Sequence, residues 1–172
     1  ITLDITHRFK TTLEQAEYLK HTYGIAKIAL ADDQNCIEIK GVKGRESIEI
    51  TQKMLSEVIE PRMNEILSLS LEEIKKSDML TKLNFGVVIT GGGSQLSNLI
   101  DLAQEIFNMP VKIGYPDLIN GVEKKYRDNP KYATAMGIIQ YATYKKYTHK
   151  KEDNSFLKSL NNLFKRIIKY LT

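Results

Sequence analysis

Residues 85–113 read FGVVITGGGSQLSNLIDLAQEIFNMPVKI. The apolar run Phe85–Thr90 is short enough for a buried strand, and Gly91-Gly92-Gly93-Ser94 follows it directly. Leu96, Leu99, Ile100, Ala103, Ile106 and Phe107 then recur on one face of a helix that must end by Pro110. Val111–Ile113 is a second short strand. A strand, a helix and a strand in that order predict an α/β layer.

Upstream, Thr11 to Glu14 fits the S/T-x-x-E capping box and opens a helix that runs to Tyr23 and stops at Gly24. Two strands follow, Ile25–Leu30 and Cys36–Lys40, with Asp32-Asp33 as the turn and Gly41 and Gly44 in a looser connection. Leu55, Val58, Ile59, Met63, Ile66 and Ile74 recur at helical spacing after a Thr51 cap. Pro61 lacks a backbone donor and restricts Glu60, so a kink or two abutting helices is expected there. A polar joint spans residues 75–82. Downstream, residues 114–128 read as a loop, and Asn129-Pro130 is an N-cap with a proline at the first helical position, opening a helix to Tyr147. The chain starts at Ile1 with no initiator Met, and Ile1–Phe9 reads as the exit from an upstream element, so it is expected to be a piece of a longer protein.

The chain has 172 residues, 42% of them hydrophobic and 27% charged, which suits an ordinary folded domain and excludes a large multidomain enzyme. No apolar run approaches the roughly 18 residues of a spanning helix, and ITLDITHRFK resembles no secretory signal; neither secretion by that route nor a transmembrane span is expected. The single cysteine has no internal disulfide partner; alternating with Ile37 and Ile39, Cys36 is expected to pack inward. His7, His21 and His149 show no ligand spacing, so no metal site is expected, and no nucleophile-base pairing marks a catalytic site. Residues 145–172 hold eight basic groups against Glu152 and Asp153, a net of +6, so the preceding 144 residues carry −2 of the total +4. Basicity confined to the tail argues against nucleic-acid binding over the folded surface.

A strand that ends in three glycines lets a ligand approach the main chain, and a following helix start presents free N–H groups; phosphate, ribose or adenine fits such a place. The triplet is neither G-x-G-x-x-G nor a P-loop, and a plain flexible turn explains it as well. Its surroundings favour the first reading. VVITGGGSQLSNLIDLAQEIFNMPVKIG followed by NPKYATAMGIIQYA resembles the adenosine-binding strand-loop-helix and closing helix of the actin and Hsp70-like ATPase superfamily. Within it, LSEVIEPRMNEI and an amphipathic C-terminal stretch, in the same order, make the chain most similar to the C-terminal part of the FtsA family, bacterial cell-division actin homologues that tether FtsZ filaments to the membrane.

That resemblance implies an incomplete actin-like (ribonuclease H-like) α/β fold: an insert subdomain at 1–78, part of the nucleotide-binding subdomain at 79–147, and a linker with a membrane-targeting helix at 148–172. It implies that Gly91, Gly92 and Gly93 lie against ribose and α-phosphate with Ser94 and Gln95 nearby, and that Glu17 and Lys20, three apart on one helix face, meet ribose and adenine. A solvated ion pair is the alternative for those two. It implies ATP with magnesium as the ligand of the complete protein, self-association into filaments, and an FtsZ C-terminal peptide, acidic and apolar, as the partner of Arg62 in the E-P-R pattern and of Lys53. The family's two phosphate loops match nothing here, so this chain is expected to hold no nucleotide tightly and to hydrolyse nothing by itself. A chaperone or sugar kinase of the same superfamily is the rival class.

The tail has its own signal. Phe156, Leu157, Leu160, Leu163, Phe164, Ile167, Ile168 and Leu171 fall within an arc of about 140° on a helix, with Lys158, Lys165, Arg166 and Lys169 opposite. Docking on the chain's own body, or in a calmodulin-like groove, would suit such a stretch. The charged linker 148–153 and a polar face without an acid suit instead the plane of an anionic bilayer. The cytoplasmic face of the cell membrane at the division site is the place that the resemblance implies.

Overall fold

A computed structural model describes residues 1–41, 44, 46–77, 83, 85–116 and 121–145. The chain falls into two compact units, Ile1–Gly114 and Tyr115–Thr172. The subdomain boundaries expected at 78 and 147 come from the resemblance and are a separate matter from compactness.

Unit one begins with helix α1, Thr2–Phe9, an element that the sequence reading did not mark as helical. Ile5 and Phe9, one turn apart on α1, are buried, which makes the segment part of the core. Lys10 then adopts a left-handed conformation, φ 51°, and breaks the helix. Helix α2, Leu13–Tyr23, is capped by Thr12, whose hydroxyl accepts the Gln15 N–H at 3.2 Å; the cap lies one residue later than expected, with Gln15 at the third helical position.

Ile25–Leu30 is not a strand. Ile25 makes a single parallel bridge to Ser97, and Ile28–Leu30 is a 3-10 turn. Strand β1, Cys36–Ile39, instead pairs antiparallel with β2, Ile48–Thr51, in the register Ile37 to Ile50 and Ile39 to Ile48. The three isoleucines 37, 39 and 50 are buried, and Cys36, one step out of phase, is exposed; this corrects its expected inward packing.

Thr51 ends β2 and caps α3, Gln52–Lys76, accepting the Met54 N–H at 3.2 Å. α3 runs through Pro61 as one helix, so it is not two abutting helices. Pro61 and Glu57 lie on the solvent side, where water can satisfy the carbonyl that proline leaves without a donor. Strand β3 is Val87–Ile89, helix α4 is Leu99–Phe107, and β4, Val111–Ile113, pairs parallel with β3. β3 is shorter and less covered than a buried strand: Phe85 is outside it and 98% exposed, and Val88 is 55% exposed, because β4 is its one partner strand among the described residues.

The core of unit one joins Ile5, Leu19, Ile37, Ile50, Leu55 and Ile59 to Leu99, Leu102, Phe107 and Val111, with α3 packed against α1 and α4. In unit two, helix α5, Lys124–Arg127, occupies part of the expected loop. The Asn129 side chain accepts the Lys131 N–H at 2.9 Å, Pro130 opens a 3-10 turn, and residues 133–145 are helical.

Candidate functional site

Two glycines bracket β3, Gly86 just before it and Gly91 in the loop after it. Gly86 has φ +86°, and a Cβ there would sit 2.0 Å from the Pro110 carbonyl oxygen, the same oxygen that accepts the Val87 N–H at 2.9 Å. Gly91 has φ 93° and ψ 176°, a conformation that side chains exclude. Gly91 thus turns the chain out of the sheet, and Thr90 steadies the exit by donating its hydroxyl to the Gly114 carbonyl at 2.8 Å.

Beyond the turn, Gly92–Gln95 forms a 3-10 turn rather than the start of the helix. Ser94 is 2% exposed; its hydroxyl donates to the Gly91 carbonyl at 2.8 Å and its N–H to the same oxygen at 3.2 Å. Ser94 therefore braces the loop from within. α4 starts six residues after the last glycine of the triplet, capped by Asn98 in a left-handed conformation, with the Asn98 amide donating to Asp101 at 3.1 Å. Free N–H groups of a helix start were expected beside the glycines; what lies there is the exposed main chain of Gly92 and Gly93 and the exposed residue Gln95, and a Cβ at Gly91 or Gly93 would meet nothing within 4 Å.

The segment that follows α2 meets the chain just beyond this loop, where the Ala26 N–H donates to the Ser97 carbonyl at 2.9 Å. On α2, Lys20 donates to both Glu17 oxygens at 2.7 Å and to the Thr2 hydroxyl at 3.0 Å; the Thr2 hydroxyl donates to Glu17 at 2.6 Å, and His21 Nε2 lies 3.0 Å from Glu17. The Lys20 hydrogen bonds, followed by the Thr2 one, hold the Glu17 carboxyl down at about 2. Glu17 and Lys20 thus answer one another and tie α2 to α1. No group of three or more His, Cys, Asp and Glu side chains among the described residues is placed to hold a metal ion.

Arg62 is held on α1: Nε and Nη2 each donate to an Asp4 carboxylate oxygen at 2.8 Å, and Nη1 donates to Glu65. This two-pronged pair holds the Asp4 carboxyl well below the usual carboxylate range and raises the Arg62 guanidinium. Lys53 reaches Asp33 at 3.4 Å. Nine residues apart on one helix, Lys53 and Arg62 stand on opposite sides of α3 and do not form one patch. Asp4 was not visible as the partner of Arg62, being 58 residues from it with no motif joining them. The tail residues 156–171 and His149 lie outside the described residues.

The family described as Cell division protein FtsA matches residues 1–137. A relative of that name from Neisseria meningitidis serogroup B is 35% identical over 143 residues, covering 83% of this chain and 34% of its own length. That of Borreliella burgdorferi is 34% identical over 167 residues, 96% of this chain and 39% of the relative. That of Escherichia coli K12 is 34% identical over 148 residues, covering 82% and 35%. The chain thus spans between a third and two-fifths of these relatives. Among solved structures, MreB 5 of Spiroplasma citri bound to AMPPNP matches with a TM-score of 0.63 at 18% identity, covering 87% of this chain and 44% of that one. The same protein bound to ADP matches with a TM-score of 0.59. The fold is actin-like, and with a family match over residues 1–137 and relatives at about a third identity, this chain belongs to the FtsA family of cell-division proteins.

Proposed function

We propose that the protein to which this chain belongs is a peripheral tether that anchors FtsZ filaments to the cytoplasmic face of the cell membrane at the division site, self-associates into actin-like filaments, and takes up ATP with magnesium when complete. The observation that carries the tether is the tail pattern: eight apolar residues from Phe156 to Leu171 on one side of a helical wheel, four cations on the other, and no acid. The Borreliella match supports counting the tail as part of the family's plan, since covering 96% of this chain it must run well into residues 148–172. No helix among the described residues is long and apolar enough to cross a membrane, which agrees with surface attachment.

For the nucleotide, the exposed main chain at Gly92 and Gly93 fits one wall of a pocket, approachable because no side chain stands there. Bound ATP would supply a ligand-dependent conformation for polymerisation. Glu17 and Lys20 would face its ribose and adenine while keeping their mutual bonds. An acidic FtsZ peptide would meet the exposed part of Arg62 in competition with Asp4 and Glu65, or meet Lys53, whose 3.4 Å contact with Asp33 is loose.

Flotation of the full chain with phosphatidylglycerol vesicles tests the tether. Binding is expected, lost on Phe164→Asp with Leu160→Asp and weakened by high salt. Flotation that survives the double substitution, or that is equal on phosphatidylcholine vesicles, would overturn it.

A further inference from the structure

The ladder between β1 and β2 uses alternate residues of β1. Asn35 accepts the Gln52 N–H at 3.1 Å, and Ile37 and Ile39 stand opposite Ile50 and Ile48, so the main-chain groups of residues 35, 37 and 39 face β2. Those of Cys36, Glu38 and Lys40 face the other edge. At Lys40 that edge is answered by a side chain. With the Gln15 amide turned so that its nitrogen serves the Thr11 hydroxyl, its oxygen accepts the Lys40 N–H at 2.8 Å and its nitrogen donates to the Lys40 carbonyl at 3.3 Å, which reproduces the two bonds of a neighbouring strand. Among the described residues nothing answers the main chain of Cys36 or Glu38.

Beside this open stretch lies a cavity of about 540 Å³ between β1 and α2. Its floor includes the buried Leu19 and Ile37, and the Tyr18 and Tyr23 rings, packed edge to face at 6.2 Å, line it from α2. Its lining carboxylates, Glu14 and Glu38, are exposed and outnumber the one lining ammonium, that of Lys40 at the closed end.

We propose that this edge accepts an extended peptide of a partner protein, carrying lysine or arginine, as a third strand. Main-chain bonds to Cys36 and Glu38 give the attachment, because an unpaired edge is a template for a further strand. Side chains that alternate along the peptide fall onto Leu19 and Ile37 or out toward the carboxylates. The tyrosine faces suit a guanidinium. The Gln15 plug ends the groove at Lys40 and sets the register. This groove is distinct from Arg62 and takes the opposite charge to an acidic FtsZ peptide.

Cys36 is the chain's single cysteine and reports on its own edge. The probe is an acetylated, amidated octapeptide, Val-Arg-Val-Arg-Val-Arg-Val-Thr, added to the full chain while maleimide alkylation of Cys36 is timed. Alkylation is expected to slow severalfold, with no slowing by the peptide N-methylated at alternate residues or with its arginines replaced by aspartate. A labelled peptide should lose affinity for Cys36→Pro, which removes the outward N–H and leaves the β1–β2 ladder intact, and keep it for Cys36→Ala. Glu38→Lys, a surface change, should weaken it severalfold. Equal binding by the N-methylated peptide, or undiminished affinity in both Cys36→Pro and Glu38→Lys, overturns the proposal. So does slowing that grows with the chain's own concentration without peptide, which would assign the edge to a second copy.

Discussion

The β3–α4–β4 segment and the segment from Ile1 to Thr51 share one core yet rest on different kinds of information. In the first, the decisive requirements are local and belong to the backbone. Gly86 must approach Pro110, Gly91 must take a conformation closed to side chains, and Pro110 must stop α4. In the second, the decisive contacts are made across distance: Ile5 against the rest of the core, Asp4 on Arg62, Gln15 on Lys40, β1 on β2. Local requirements leave residue types that announce themselves, whereas distant contacts use ordinary side chains whose partners are not nearby in the chain.

The largest effect is expected where a backbone requirement is broken outright. Gly86→Ala combines an unfavourable φ with a Cβ 2.0 Å from a carbonyl oxygen, and neither β3 nor Pro110 can yield without loosening the parallel pair. A loss of about 4 kcal/mol is expected in urea unfolding. A loss below about 1 kcal/mol would show that the junction adapts and that the glycine is not structural there.

The second region is tested at Ile5, fully buried on α1. Truncation to Ala should remove about 3 kcal/mol, the usual consequence of a cavity at a closed core position. If α1 were an appendage rather than part of the core, unfolding of the Ile5→Ala chain would be indistinguishable from that of the parent, and the contrast between the two regions would lose one of its terms.

The same division accounts for what could be read in advance. The strand–glycine–helix–strand order, the Thr51 cap, the Asn129-Pro130 start and the end of α2 at Gly24 were legible because each is announced within three or four residues. β2 was missed although Ile48 and Ile50 alternate; four residues squeezed between a glycine-containing connection and a helix cap declare themselves only when β1 is placed beside them. Of two adjacent threonines the chain uses Thr12 to cap α2, which places Gln15 rather than Glu14 at the third helical position. At the candidate site the glycines were found and the 3-10 turn behind them was not, because the inward hydrogen bonds of Ser94 replace what an uninterrupted helix would have provided. Arg62 was singled out for its charge, and the structure shows that charge already engaged by a helix that sequence reasoning had not recognised.

Glu17 joins the two kinds of information, since its pairing with Lys20 is local and its pairing with Thr2 is not. Lys20 and Thr2 lower its folded pKa from 4.5 to about 2, so the carboxylate contributes stability that is complete above about pH 5 and is lost as pH falls toward about 2. Its side chain is 43% exposed and solvent screens the pair, so the contribution expected is about 1 kcal/mol rather than the larger figure the full shift would imply. Glu17→Gln should therefore be less stable than the parent by about that amount near pH 7, and the two unfolding curves should converge by about pH 2. A difference that persists unchanged at that pH would assign the effect to the shape of the Thr2 contact instead of the charge. A difference abolished by Thr2→Val at neutral pH would show that the distant hydroxyl, and not the neighbouring lysine, is the partner that matters.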